Sequence, residues 1–168
     1  MGQKKIYYIS YFGDSDKRNH RASAPAADAK IEYIAQTMIA EGYEVEVISF
    51  REFDKRDVLL ERQSEYIKEI GKLKIHYFES FSSKYKVLRL LGRIFTKMKG
   101  KRYILSIIKE NDAQIIIYHS LALVWLAELL RKKRKRYIYE VEEIYADVME
   151  NEVLREKEVK TLRQADAY

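Results

Sequence analysis

Five short apolar runs, each followed by a longer polar or helical segment, are the feature that most limits how this chain can fold. Parallel strands need connections of a dozen or more residues, usually helices, and the runs are spaced to allow them. KIYYISYF at 5–12 reads as a buried strand rich in Ile and Tyr. YEVEVISF at 43–50, LKIHYFE at 73–79, AQIIIYHS at 113–120 and RYIYEVE at 136–142 read as four more. The fourth has the continuous apolarity of a strand at the centre of a parallel sheet.

The intervening segments predict helices. Residues 25–41 open on Pro25, put Ile31, Ile34, Ala35, Met38 and Ile39 on one face, and stop at Gly42. Residues 51–72 are charged and helical in pattern, ending at Gly71. Residues 84–110 predict one long helix, or two broken near Gly100. Residues 121–135 form an apolar helix with a basic last turn, and 146–165 a charged one. Strand and helix alternate throughout. This predicts an α/β fold in one domain: a doubly wound, mostly parallel Rossmann-like sheet with helices on both faces. The terminal ADAY, 165–168, reads as the start of a further strand, as in a fragment of a larger protein.

Composition narrows the functional classes. Without cysteine, disulfides and thiolate metal sites are excluded, and a reducing cytoplasm fits. No run reaches the roughly 18–20 apolar residues that span a bilayer. The MGQKK start leads into a strand with no apolar signal segment, and Gly2 lacks the Ser or Thr of a myristoylation signal. A net charge of +6 points to an anionic partner. The 14 tyrosines suit sugar or membrane-interface contacts, or reflect compositional bias.

In open α/β sheets ligands bind beyond the carboxyl ends of the strands. The residues expected there are Gly13, Asp14, Ser15 and Asp16 with the loop to Ser23; His119 and Ser120; and Glu142, Glu143, Tyr145 and Asp147. A dinucleotide fingerprint needs three spaced glycines; only Gly13 is present, so Glu52 near the end of the second strand has little meaning as a ribose ligand. Asp14 and Asp16 form a DxD pair that could hold Mg²⁺ for phosphoryl transfer, or a solvated turn and helix cap. His119 follows a rigid apolar strand, where it could bond or polarise a hydroxyl, or rest against neighbouring backbone. His20, His76 and His119 lack metal spacing, so no zinc site is expected. Glu140 is expected to pair with a nearby Lys or Arg, and Asp147 to begin a helix.

The segment 84–102 holds eight basic residues and no acid, with Val87, Leu88, Leu91, Ile94, Phe95 and Met98 at helical spacing. Lys86, Arg89, Arg93 and Lys97 could face an anionic membrane, with the stripe against it. Alternatively the stripe packs on the sheet and the cations are solvated. Aromatics interleaved with cations on a sheet face, as nucleic-acid binding would need, are not seen.

Four stretches together resemble the N-terminal half of a GT-B glycosyltransferase of the family-four retaining type. They are 5–12 with the Asn19-to-Ala26 loop, 29-AKIEYIAQTMIAEGYEVEVIS-49, 113-AQIIIYHS-120 and 139-YEVEEIYADV-148. The resemblance implies that residues 1–168 are the acceptor-side domain, with a donor-binding domain beyond them. It implies transfer of a sugar from a nucleotide-sugar to a glycan or lipid-linked acceptor, in bacterial cell-surface polysaccharide synthesis at the cytoplasmic membrane face. His119 would be catalytic; Gly13, Asn19, Ser120, Glu142 and Glu143 would contact the acceptor; no metal or further cofactor would be needed. The first loop lacks the Gly-Gly pair of many members. Alternatives are a non-catalytic membrane-associated binding module, or a nucleotide or phosphotransfer enzyme using Asp14 and Asp16.

Overall fold

In a computed structural model of the chain, residues 4–109, 113–118, 120–141, 151–163 and 165–167 are described. The elements run β1 (Lys5–Ser10), α1 (Pro25–Ala40), β2 (Glu44–Ser49), β3 (Glu61–Gln63), β4 (Tyr66–Ile70), β5 (Leu73–Tyr77) and β6 (Ser80–Ser82). They continue through α2 (Lys86–Ile107), β7 (Gln114–Tyr118), α3 (Val124–Lys132), β8 (Ile138–Glu140) and α4 (Glu152–Leu162). Short 3-10 turns occupy Lys17–Asn19 and Leu121–Leu123.

Six strands form one sheet in the order β4-β5-β2-β1-β7-β8. β5, β2, β1, β7 and β8 are mutually parallel, and only β4 is antiparallel, at the edge beside β5. The chain builds outward from β1 to β2 and β5, then returns to lay β7 and β8 on the other side. The order therefore reverses between β1 and β7, the Rossmann-like switch point. β3 and β6 pair antiparallel as a separate ribbon.

Strand alternation divides the core into two layers. Tyr7, Ile9, Ile48, Phe50, Ile115, Ile117 and Tyr139 pack with Ile104 and Ile107 of α2 and with Leu126 and Leu130 of α3. Ile6, Tyr8, Val45, Val47, Ile75, Tyr77 and Ile116 pack with Ile31 and Ala35 of α1. Helices thus cover both faces, and the predicted fold class stands. Glu140 pairs with Lys30 of α1 at 2.9 Å and accepts from the Tyr8 hydroxyl, as its expected structural role requires.

Two expectations are corrected, and one left open is decided. Residues 51–72 are not a helix: they run irregularly into β3 and β4. Tyr66–Ile70 alternates half-buried with exposed side chains, and its backbone bonds are met by β5. Gly71, at φ +61°, is the first residue of the two-residue turn between Ile70 and Leu73, and so closes a hairpin rather than a helix. The third strand ends at Tyr77, with a second short strand, β6, following it. Finally, α2 is one unbroken helix. Gly100 does not interrupt it; a Cβ there would overlap the rings of Phe50 and Phe78.

At the far edge, Ala167 bridges Ile138 in parallel, and the Tyr139 N–H donates to the Ala167 carbonyl at 2.9 Å. Within the stretch expected to start a further strand, Ala167 makes this single bridge, and Tyr168 lies outside the described residues.

Candidate active site

The carboxyl ends of β1 and β7 lie side by side at the switch point, with Ile9 opposite Ile117. The loop from Tyr11 to Ala24 leaves β1 there. It folds back on itself: the Asp14 N–H donates to the Arg21 carbonyl at 3.0 Å. Gly13 lies at this crossing, where a Cβ would come within 2.6 Å of the Ala22 carbonyl, so only glycine fits. Its N–H donates to Asp28 at 2.9 Å, and its carbonyl accepts from the Tyr77 hydroxyl at 2.6 Å. Asp28, in the first turn of α1, also accepts from the Ala24 N–H and the Ser23 hydroxyl, capping its own helix start.

Asp14 is the anchor of the loop. Its side chain is fully buried, and both oxygens are occupied. Oδ1 accepts from Lys68 at 2.6 Å and from the Asp16 N–H at 2.9 Å; Oδ2 accepts from Asn19 and Tyr66, each at 2.8 Å. Burial alone would raise its pKa, but these donors, Lys68 first, outweigh that and hold it below the ordinary carboxylate value. Asp16 accepts from the Arg18 N–H at the head of the 3-10 turn and pairs with its guanidinium, which lowers it to about 2. One carboxylate is therefore saturated and the other is a cap. The two do not converge as a metal-binding pair, and no metal-holding cluster of His, Cys, Asp or Glu occurs among the described residues.

Arg21 escaped the sequence reading. It is 1% exposed, yet its guanidinium bonds the Gln63 side chain at 2.8 Å, the Phe78 carbonyl at 2.6 Å and the Arg51 carbonyl. It also lies over the rings of Tyr66 and Tyr77, at 5.4 and 5.2 Å. Burial lowers its pKa, partly offset by the two tyrosines. Burial, helped by Asp14, raises the Tyr66 phenol well above its usual range, so Tyr66 stays a donor. The hairpin β4–β5 thus clamps the first loop. The signal that could have revealed it is the alternation Tyr66, Lys68, Ile70, which puts the two side-chain donors that this hairpin offers Asp14 on one strand face.

The expected acceptor contacts divide. Gly13 has its backbone groups committed within the protein. Asn19 donates to Asp14, and its carbonyl accepts weakly from Gln63 at 3.4 Å. Ser120 accepts from the Ala122 N–H at 3.3 Å and so caps the turn after β7. Gly13 and Asn19 share the loop after β1, and Ser120 follows the adjacent strand. His119, Glu142, Glu143, Tyr145 and Asp147 lie outside the described residues. Glu52 pairs with Arg93 at 2.9 Å.

The four cations expected at a membrane surface also divide. Arg89 donates to the carbonyls of Ser83 and Lys84 near the start of α2, Arg93 pairs with Glu52, and Lys97 lies over the Trp125 ring at 4.6 Å. Lys86 is exposed.

A second polar cluster lies away from this site, between the sheet and α2. His76 is buried, with Nδ1 3.2 Å from Glu46 and Nε2 2.8 Å from Glu65. Glu46 also accepts from Tyr103 at 2.6 Å and pairs with Lys5 at 3.2 Å. Burial pulls the His76 pKa down, but Glu46 and then Glu65 outweigh it, and the net shift is upward.

No family model matches the chain, and no curated protein does. Among solved structures, it is similar to a UDP-forming α,α-trehalose-phosphate synthase from Burkholderia xenovorans, at 11% identity and a TM-score of 0.49. The match covers 98% of this chain and 38% of that one. The fold class rests on the strand order and register described above.

Proposed function

We propose that this chain is the acceptor-side, N-terminal domain of a retaining, family-four-like GT-B glycosyltransferase. The whole protein would move a sugar from a nucleotide-sugar to a glycan or lipid-linked acceptor in cell-surface polysaccharide synthesis, at the inner face of the membrane. The observation that carries this reading is the switch point between β1 and β7. A rigidly clamped loop leaves one strand there, and the chain continues into His119 and Ser120 from the other. Crevices of this kind hold ligands in open parallel sheets.

His119, the next residue in sequence after β7, would hold or polarise a hydroxyl, with retention of anomeric configuration. Glu142, Glu143 and the exposed parts of the Asn19 loop would contact the acceptor. A second domain beyond these residues would hold most of the donor. The phosphotransfer alternative loses its support, because Asp14 is saturated by Lys68, Tyr66, Asn19 and the Asp16 N–H.

The test uses the full-length enzyme. His119→Ala should cut nucleoside-diphosphate release at least about tenfold while leaving the fold intact, in the range expected for loss of a proton-handling group. Unchanged turnover would remove His119 from the mechanism. The 168-residue chain alone should not turn over, and activity in it would refute the divided site.

A further inference from the structure

The helix α2 is packed the wrong way round for a core helix. Its buried positions are Gly92, Thr96, Gly100, Ile104 and Ile107, so its first half meets the protein through small residues. The Thr96 hydroxyl donates back to the Gly92 carbonyl, and Gly92 lies against the Phe81 backbone. The large apolar side chains of that half point outward instead. Val87, Leu90, Leu91, Ile94 and Met98 are 47% to 69% exposed, and Tyr85 just ahead of them is 54% exposed. The stripe foreseen at 87–98 therefore exists: Val87, Leu91, Ile94 and Met98 are exposed, while Leu88 and Phe95 are half-buried, Phe95 beside Phe81.

A second segment extends the patch. Leu59 and Leu60 are 64% and 62% exposed. They are held beside the start of α2, because the Lys84 N–H donates to the Val58 carbonyl at 2.6 Å and the Ser83 hydroxyl donates to the Leu59 carbonyl. Large apolar side chains exposed together on one helix face mark an interaction site.

Charge selects the occupant. Arg93 and Lys99 of α2 pair with Glu52 and Glu79, and Arg89 faces Asp54. Lys84, Lys86, Lys97, Lys101 and Arg102 have no carboxylate partner among the described residues, and 84–102 contains no acid. A second copy of this chain would bring the same cations against one another. An anionic surface would neutralise them. The stripe is also a convex helix face rather than a groove, a shape that a deformable bilayer accommodates by insertion of side chains. No helix among the described residues is long and apolar enough to cross a membrane, so α2 would lie in the plane of the interface.

We propose that α2, with Leu59 and Leu60, docks the protein on an anionic phospholipid surface by inserting Tyr85, Val87, Leu90, Leu91, Ile94 and Met98, with Lys84, Lys86, Lys101 and Arg102 at the headgroups. This deepens the functional reading above and rests on it only for the purpose of the docking. Arg89 and Arg93 reach Asp54 and Glu52 in the segment after β2, so the inserting half of the helix lies at the carboxyl-end edge of the sheet. Docking brings the crevice near the lipid, where a lipid-linked acceptor would be presented.

The absence of cysteine permits a direct test on the 168-residue chain. Leu91→Cys carries an environment-sensitive fluorophore, and Tyr33→Cys on α1 carries the control; both positions are exposed, Tyr33 at 74%. With phosphatidylglycerol–phosphatidylcholine vesicles, the probe at 91 should brighten several-fold and be quenched by spin-labelled acyl chains, and the probe at 33 should not. The triple change Leu90→Ser, Leu91→Ser, Ile94→Ser, with an unchanged circular dichroism spectrum, should weaken vesicle flotation at least about tenfold, as loss of inserted apolar area predicts. Lys84→Glu, Lys86→Glu and Lys101→Glu together should do the same. No flotation, equal responses from both probes, or a doubled mass in solution abolished by the serine changes would overturn the proposal. A chain that docks while its full-length parent transfers no sugar would keep the docking and refute the enzyme reading. Sugar transfer without docking would do the reverse.

Discussion

The hydroxyl of Tyr66 donates to the carboxylate of Asp14 at 2.8 Å, across 52 positions of the chain. This bond and that of Lys68 fasten the edge hairpin to the loop that leaves the first strand. The loop beside the switch point is therefore shaped by a strand whose own pairing partner, β5, lies two places away from β1.

Removing the donor and removing the acceptor should differ. Tyr66→Phe keeps the ring on Arg21 and loses one charge-assisted bond, at a cost of about 1 to 2 kcal/mol. Asp14→Ala leaves Lys68, Asn19 and Tyr66 without their acceptor, and should cost about 3 kcal/mol or more. Urea unfolding of the two variants checks the ranking. Equal costs would mean that the loop relaxes to re-satisfy the donors.

The His76 cluster gives stability a pH dependence. The folded pKa of His76 lies above its ordinary value of 6.5, so its contribution is complete below that value and is lost as pH rises through the raised one. Glu46 is shifted the other way: burial would raise it, but His76, Tyr103 and Lys5 lower it. Its contribution is present above the ordinary carboxylate value and is lost in acid. Stability should therefore peak in mildly acidic solution and decline towards alkaline pH. His76→Gln should flatten the alkaline limb. Denaturation series from acid to alkaline pH, on both proteins, measure this; parallel curves would place the pH dependence elsewhere.

Within α2, one substitution should act against helix propensity and another should change little. Gly100→Ala gains about 1 kcal/mol of propensity. It also drives a methyl group into Phe50 and Phe78, and overpacking costs about 1 to 3 kcal/mol, so the net effect should be destabilising. Leu90→Ser, on the exposed face, should change the stability of the isolated chain by no more than about 0.5 kcal/mol. Thermal melts in the absence of lipid compare the two.

The central strands and their flanking helices were legible because burial on both faces leaves an unbroken apolar run, as in Ile115, Ile116 and Ile117 of β7. Residues 51–72 were not, because a half-exposed edge strand carries charges on one face. Tyr66, Lys68 and Ile70 reveal their alternation only once β5 is known to lie alongside. In α2 the amphipathic stripe was legible, but its direction was not. Gly92, Thr96 and Gly100 are the residues that pack, and small side chains give little apolar signal. At the candidate site, the loop after β1 and its cap at Asp16 could be foreseen from turn chemistry. Arg21 could not, because two of its three partners are backbone carbonyls, at Arg51 and Phe78, which no side-chain pattern encodes.

The position of β1 has a consequence for biosynthesis. It precedes the other strands of this sheet in the chain and lies inside the sheet, with β2 on one side and β7 on the other. β2 follows closely, but β7 begins only at Gln114. At ordinary translation rates that separation corresponds to a delay on the order of ten seconds. Until then one whole hydrogen-bonding edge of β1 has no native neighbour. The nascent chain must keep that edge from foreign strands, so a ribosome-bound chaperone would matter more here than in a sheet laid down in sequence order, and a pause before residue 113 would lengthen the exposure.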